Sequence, residues 1–226
     1  MTTSMWNEQE IRREFSDCST LHDVIRKVEL DFSQKGEVIC EIRVNGVMLS
    51  EGDETKFAQS SAREINQLAI VSNRPADLLV EALNSALAFA PDLEASCLAT
   101  AEAFRGSDLP KAQKRFNESL EGCQWFVDTL MHVRSAASGI GKAILQPERW
   151  FEAENMIARV IRELSEGYSK SDFVLVADLM EYELTGALSV WKESLKTELE
   201  YRAGLGLSRE PEEGHGNGQS ENPVGR

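Results

Sequence analysis

The chain has 226 residues, of which 42% are hydrophobic and 27% are charged, and its formal net charge is −14. This composition is typical of a globular protein and excludes a wholly disordered chain. A strongly acidic surface repels phosphate groups, and the densest basic stretch, Lys111, Lys114 and Arg115, is interrupted by other residues. We therefore expect neither nucleic acid nor a membrane surface as a partner.

The first firm element is a helix that begins after Thr20. Thr20 and Asp23 can both accept hydrogen bonds from the free N–H groups of a first helical turn,. Gly36 suits the left-handed conformation that ends many helices, so the helix should stop just before it,. Residues 1–17 show no clear period, and at most a short helix is expected there.

A change of hydrophobic period from about 3.6 to 2 then predicts strands. Alternating residues over 38–44 are followed by Asn45-Gly46 and by a second apolar run at 47–49. Asn-Gly between two such runs is the strongest short signal of a hairpin with a type I′ turn. A third strand is expected at 67–71, and a further short one near 55–58 is an option.

Helical periods begin at Pro75, which suits a first helical turn because its missing N–H has no partner there,. Pro91 should break or kink this helix, since proline removes a hydrogen bond in a helix interior. A second segment, 93–104, should end before Gly106.

Three further helices are predicted after this break. Asp108 can cap a helix over about 109–137, and Pro147 opens the next helix, which Gly167 closes,. The last helix should span about 172–202. Its expected apolar face consists of Leu175, Leu179, Tyr182, Leu188, Trp191, Leu195 and Leu199.

The sequence therefore predicts an α+β fold in three parts. Residues 1–72 form a small N-terminal helix plus an antiparallel β-hairpin or three-stranded sheet, and residues 73–204 form an antiparallel helical bundle. Residues 205–226 are acidic, rich in glycine and poor in apolar groups, so they cannot bury enough surface to offset the entropy of ordering and are expected to be disordered.

No motif in the chain supports catalysis or a bound cofactor. The stretch at 139–142, Gly-Ile-Gly-Lys, lacks the first glycine and the final hydroxyl of a phosphate-binding loop,. Asp128 and His132 could form half of a metal site, but the chain contains no Glu-x-x-His,. We expect that the protein is not an enzyme and binds no cofactor and no metal. The alternative hypothesis is an enzyme or a small-molecule sensor with a pocket between the sheet and the bundle.

The four cysteines include no Cys-x-x-Cys pair, and residues 1–15 contain no apolar segment of the kind found in signal peptides,. The thiols are therefore expected to stay reduced in a cytoplasmic protein.

Adjacent aromatic residues are the remaining signal. Trp125-Phe126 and Trp150-Phe151 each place two rings about 100° apart on one helix,. One helix face cannot bury both members of such a pair, and exposed tryptophan is typical of binding surfaces. We therefore predict Trp125, Trp150 and Trp191 as anchors for a partner protein, bound in an apolar groove of the bundle.

The stretch at 72–79, Ser-Asn-Arg-Pro-Ala-Asp-Leu-Leu, continuing to Ala86, Leu87 and Phe89, resembles the start of a flagellin export chaperone. The Gly106-Ser107-Asp108 break before a long helix is also similar to that family. The resemblance covers residues 72–130, and the helix and hairpin in front of it depart from the family pattern. It implies a helical bundle that sequesters an aggregation-prone partner helix. Together these signals predict a cytoplasmic adaptor or chaperone-like module, and self-association stays open.

Overall fold

The structure, a computed structural model, describes residues 1–50, 52, 60–141 and 143–204. The helices and strands are, in chain order, β1 (Thr2–Asn7), α1 (Glu8–Glu14), α2 (Leu21–Gln34), β2 (Val38–Val44), β3 (Val47–Met48), β4 (Gln67–Asn73), α3 (Pro75–Arg105), α4 (Leu109–Gly139), α5 (Pro147–Ser169), α6 (Phe173–Asp178) and α7 (Thr185–Gly204). A 3₁₀ turn, Ala62–Glu64, precedes β4, and a π-helical turn, Leu179–Leu184, connects α6 to α7. The predicted α+β fold class is confirmed.

The described strands form one antiparallel sheet in the order β1-β4-β2-β3. The central strand β4 pairs with β1, from Thr2 opposite Ser72 to Asn7 opposite Gln67, and on its other side with β2. The expectation of at most a short helix in residues 1–17 is therefore incomplete, because a strand precedes α1. Thr2, Thr3 and Trp6 favour a strand, but the six residues show no clear alternation of apolar and polar side chains, so the pairing with β4 decides their conformation,.

The hairpin turn has the predicted geometry. Asn45 and Gly46 have φ angles of 51° and 81°, which a type I′ turn requires at both central positions. The Asn45 side chain also ties the turn to the chain entering β4: its Oδ1 accepts from the backbone N–H groups of Asn66 and Gln67, at 2.7 and 3.0 Å, and its Nδ2 donates to the Glu64 carbonyl.

Replacing Gly46 with valine should lower the free energy of unfolding by about 1–3 kcal/mol, because a β-branched residue is strained at positive φ. Gly46→Asn is the matched control, since asparagine tolerates the left-handed region. Urea midpoints of the two variants and the wild type measure the difference. A Gly46→Val midpoint equal to that of the wild type would contradict this assignment of the turn.

A first hydrophobic core lies between α1, α2 and one face of the sheet. Thr20 caps α2 as predicted: its hydroxyl accepts from the Asp23 N–H, and the Asp23 carboxylate accepts from the Thr20 N–H. The buried members of this core are Ile11, Phe15, Leu21, Val24, Ile25, Val28, Phe32, Ile42, Ala62, Ile65, Leu68 and Ile70.

A second core lies within the helices that follow Asn73 and shares no residue with the first. Here α3 is continuous through Pro91, so the break that was one of the two predicted effects of this proline is wrong, and the kink stays a prediction. A proline in a helix interior costs about 3 kcal/mol or more. Burial of Leu83, Ala90, Leu93 and Cys97 on both sides of Pro91 offsets this cost.

The predicted face of the last helix is wrong at Leu175 and Tyr182, which are 43% and 64% exposed. The predicted face contains a step of six residues from Tyr182 to Leu188, and six residues of a regular α-helix leave two side chains about 120° apart around the axis. The π-helical turn lies at this break, and its wider turn changes which residues face the core,.

The predicted strand near 55–58, the lysine at 142 and the predicted tail at 205–226 lie outside the described residues. Among the described helices, none combines the length and the apolar composition needed to cross a membrane.

Candidate protein-binding surface

Two of the three tryptophans predicted as anchors lie in the core. Trp150 is 2% exposed and Trp191 is 0% exposed, and their rings meet edge to face with centroids 4.8 Å apart. Their assignment as partner anchors is therefore wrong, because a buried ring cannot contact a partner. In the Trp150-Phe151 pair the exposed member is Phe151, at 56%.

Trp125 is on the surface, with 46% of its area exposed, while its neighbour Phe126 is fully buried. Its ring lies edge-on to that of Phe89 on α3, with centroids 4.7 Å apart and planes inclined by 71°. Gly122, one turn earlier on α4, makes room for this pair. A Cβ at that position would lie 3.0 Å from Leu93 Cδ1 and 3.5 Å from Phe89 Cζ.

Small residues bring α3 and α4 close together along the seam between them. The Ser119 hydroxyl lies 2.9 Å from that of Ser96 and 3.0 Å from that of Thr100. Residues at helical spacing on α3 and α4 extend this seam towards both ends of the two helices. We call it the α3/α4 groove and define it by Phe89, Ser96, Ala99 and Ala103 on α3 and by Lys111, Arg115, Gly122 and Trp125 on α4.

A depression of about 410 Å³ lies at the end of the groove nearest the α3–α4 turn, and it is lined by Leu98, Ala99, Glu102, Ala103, Lys111 and Arg115. Lys111 and Arg115 are four residues apart on α4, and neither forms an ion pair with any described residue. The nearby Lys114 differs, because it faces the Glu118 carboxylate at 3.8 Å.

Carboxylates surround the aromatic end of the groove. Glu121 and Asp128 lie four residues before and three residues after Trp125, and Asp92 lies three residues after Phe89, which places each on the adjacent turn of the helix surface. Asp128 accepts a hydrogen bond from Gln124. Within the described ranges none of these three carboxylates has a cationic partner.

Three of the four thiols, those of Cys18, Cys40 and Cys97, lie in environments that disfavour the thiolate. Burial, together with the charge of Asp17, raises the pKa of Cys18, and burial beside Glu81 and Glu41 raises the pKa of Cys40. The hydrogen bond between Cys97 and Cys123, assisted by burial, raises the pKa of Cys97 above its usual range. A thiolate nucleophile at Cys18, Cys40 or Cys97 is therefore disfavoured at neutral pH.

A separate cleft of about 590 Å³ lies within the N-terminal unit and is lined by Ile11, Arg12, Phe15, Ser16, Cys18, Ser19, Ser61, Ala62 and Arg63. It does not lie between the sheet and the bundle, where the alternative hypothesis places a pocket. Among the described residues, no three His, Cys, Asp or Glu side chains are grouped so that they could hold a metal ion.

Of the residues that define the groove, the sequence predicts only Trp125 as a binding residue. The spacing of Gly122 and Trp125 on one helix face was a usable signal, whereas the contact with Phe89 depends on how α3 and α4 pack. Lys111 and Arg115 were noted as basic residues, but not as a pair next to a depression.

The fold and this surface define an α+β protein whose helical bundle carries an exposed aromatic groove. The chain belongs to the family described as Domain of unknown function (DUF8042), which matches residues 81–194, half of the chain. The matched region contains the whole α3/α4 groove and excludes the sheet. The chain matches neither a curated protein nor a solved structure.

Proposed function

We propose that this protein is an interaction module, of the adaptor or chaperone-like kind, that binds a segment of another protein in the α3/α4 groove. The observation that carries this proposal is Trp125, which is nearly half exposed and held edge-on by Phe89. Tryptophan is the residue type most enriched among those that dominate binding energy at protein interfaces.

The surroundings of Trp125 support the proposal in physical terms. Packing against Phe89 restricts the indole before any partner arrives, so binding loses little side-chain entropy,. At the other end of the groove, the small residues Ala99 and Ala103 line the open depression and leave room for a partner to approach closely. The family model matches the helical bundle, which is the part of the chain that contains the groove.

Replacing Trp125 with alanine should weaken partner binding by about 2 kcal/mol or more, which is about a 30-fold increase in Kd. The tagged full chain would be used to capture its partner from the native host, and the purified partner would then be titrated against each variant. Phe151→Ala is the matched control, because Phe151 is also an exposed aromatic residue but lies outside the groove on α5.

Both variants should keep a melting temperature close to that of the wild type, since both side chains are on the surface, with 46% of Trp125 and 56% of Phe151 exposed. Wild-type affinity in Trp125→Ala would show that the groove is not the binding site. A loss confined to Phe151→Ala would move the site to α5.

A further inference from the structure

We infer that the partner segment is an amphipathic helix with opposite charges at its two ends. Its carboxylates pair with Lys111 and Arg115, and a large apolar residue next to a lysine or arginine packs on Trp125. This inference rests on the proposed function, because it assumes that the α3/α4 groove is the binding site.

The basic end of the groove indicates the acidic end of the partner. Lys111 and Arg115 line one depression together with the apolar side chains of Leu98, Ala99 and Ala103. Glu102 also lines it, yet neither cation is paired with a carboxylate in the part of the chain that the structure describes. A carboxylate from a partner would find two donors there, and arginine can hold it through two parallel hydrogen bonds.

The aromatic end indicates a basic residue. Glu121, Asp128 and Asp92 lie one turn from Trp125 or Phe89 and lack cationic partners among the described residues. A lysine or arginine brought there by a partner would be attracted by these carboxylates. It would also be attracted by the face of the indole, through a cation–π interaction.

The separation of the two ends favours a helix as the occupant. Arg115 and Trp125 are ten positions apart on α4, which corresponds to about 15 Å along the axis. A partner helix spans this distance in the same number of residues and satisfies its own backbone hydrogen bonds. An extended segment would find no sheet edge in this groove to pair with, because both walls are helices,.

Helix electrostatics then suggest the direction of the partner. Acidic residues are favoured in the first turn of a helix and basic residues in the last turn, because the helix dipole is positive at its N-terminus. A partner with this common distribution would place its N-terminus near Lys111 and Arg115 and its C-terminus near Trp125. It would therefore run parallel to α4.

The test is a displayed library of amphipathic helical peptides, each about 18 residues long, or five turns, with the charged positions randomised. Selection would use the full-length protein, with counter-selection against the Trp125→Ala variant. We expect the enriched peptides to carry lysine or arginine beside their apolar anchor and aspartate or glutamate about ten residues towards the N-terminus.

The paired substitution Lys111→Glu with Arg115→Glu should lower the affinity of these peptides about tenfold. A new selection that uses this double variant as the target should enrich basic residues at the peptide positions that were acidic before. Arg162→Glu with Lys196→Glu is the control, because it changes the net charge equally on α5 and α7, and it should leave both affinity and preference unchanged.

The inference would be overturned by peptides that require Trp125 but show no charge asymmetry and do not respond to the Lys111 and Arg115 substitutions. That result would leave the proposed function unaffected. A selection that yields no Trp125-dependent peptide would count against both.

Discussion

Replacing Arg202 with alanine should lower the free energy of unfolding by about 3–5 kcal/mol. Arg202 and Glu198 form an ion pair on α7 with both side chains 1% exposed, in which Arg202 Nη2 and Nε lie 2.6 and 2.7 Å from Glu198 Oε1. The other carboxylate oxygen accepts a hydrogen bond from the Leu145 N–H at 2.8 Å. The alanine variant would leave this buried carboxylate without its cation.

Little water reaches the Glu198–Arg202 pair in the folded protein, because both side chains are 1% exposed. The cavity beside the pair, lined in part by Trp150, Ser194 and Glu198, measures only about 10 Å³, which is about the space that one water needs. Glu198 also connects the α4–α5 loop to the end of α7, so weakening the pair should loosen this end of the bundle.

Two controls separate loss of the charge pair from loss of packing. The double variant Glu198→Met with Arg202→Leu keeps most of the volume and buries no charge, so it should recover most of the lost stability. Lys170→Ala removes one member of an exposed ion pair with Glu166 at the same i, i+4 spacing and should change little,. Equal denaturant midpoints for Arg202→Ala and Lys170→Ala would show that burial does not strengthen the Glu198–Arg202 pair.

Local signals explain which elements could be predicted from the sequence. The cap at Thr20, the cap at Asp108 and the Asn45-Gly46 turn each depend on residues within a few positions of one another, and the structure has all three. Strand β1 could not be found in this way, because its conformation depends on pairing with β4, far along the chain.

The candidate site was only partly predictable for the same reason. Periodicity showed that Trp125 and Phe126 point in different directions but not which of them faces the core, and it did not show that Phe89 would support Trp125. Glu198 and Arg202 have the spacing of an ordinary surface ion pair. Their burial depends on tertiary packing, to which the loop at Leu145 contributes through its N–H bond to Glu198.

Replacing Trp191 with alanine should lower the free energy of unfolding by about 3–5 kcal/mol, because it deletes a large side chain from the centre of the second core. Trp191 is 0% exposed and lies between two other rings, with centroid distances of 4.8 Å to Trp150 and 6.4 Å to Phe126. The resulting cavity would also remove both edge-to-face contacts.

Trp191→Phe tests whether the ring or the indole N–H matters at this position. The N–H finds no acceptor among the described residues. Phenylalanine therefore loses no hydrogen bond and keeps an aromatic ring, so Trp191→Phe should lower the free energy of unfolding much less than Trp191→Ala. Trp125→Ala is the exposed counterpart and should change stability least of the three. Denaturant unfolding of the three variants ranks them directly, and equal losses in Trp191→Ala and Trp125→Ala would contradict the assignment of one ring to the core and the other to the binding surface.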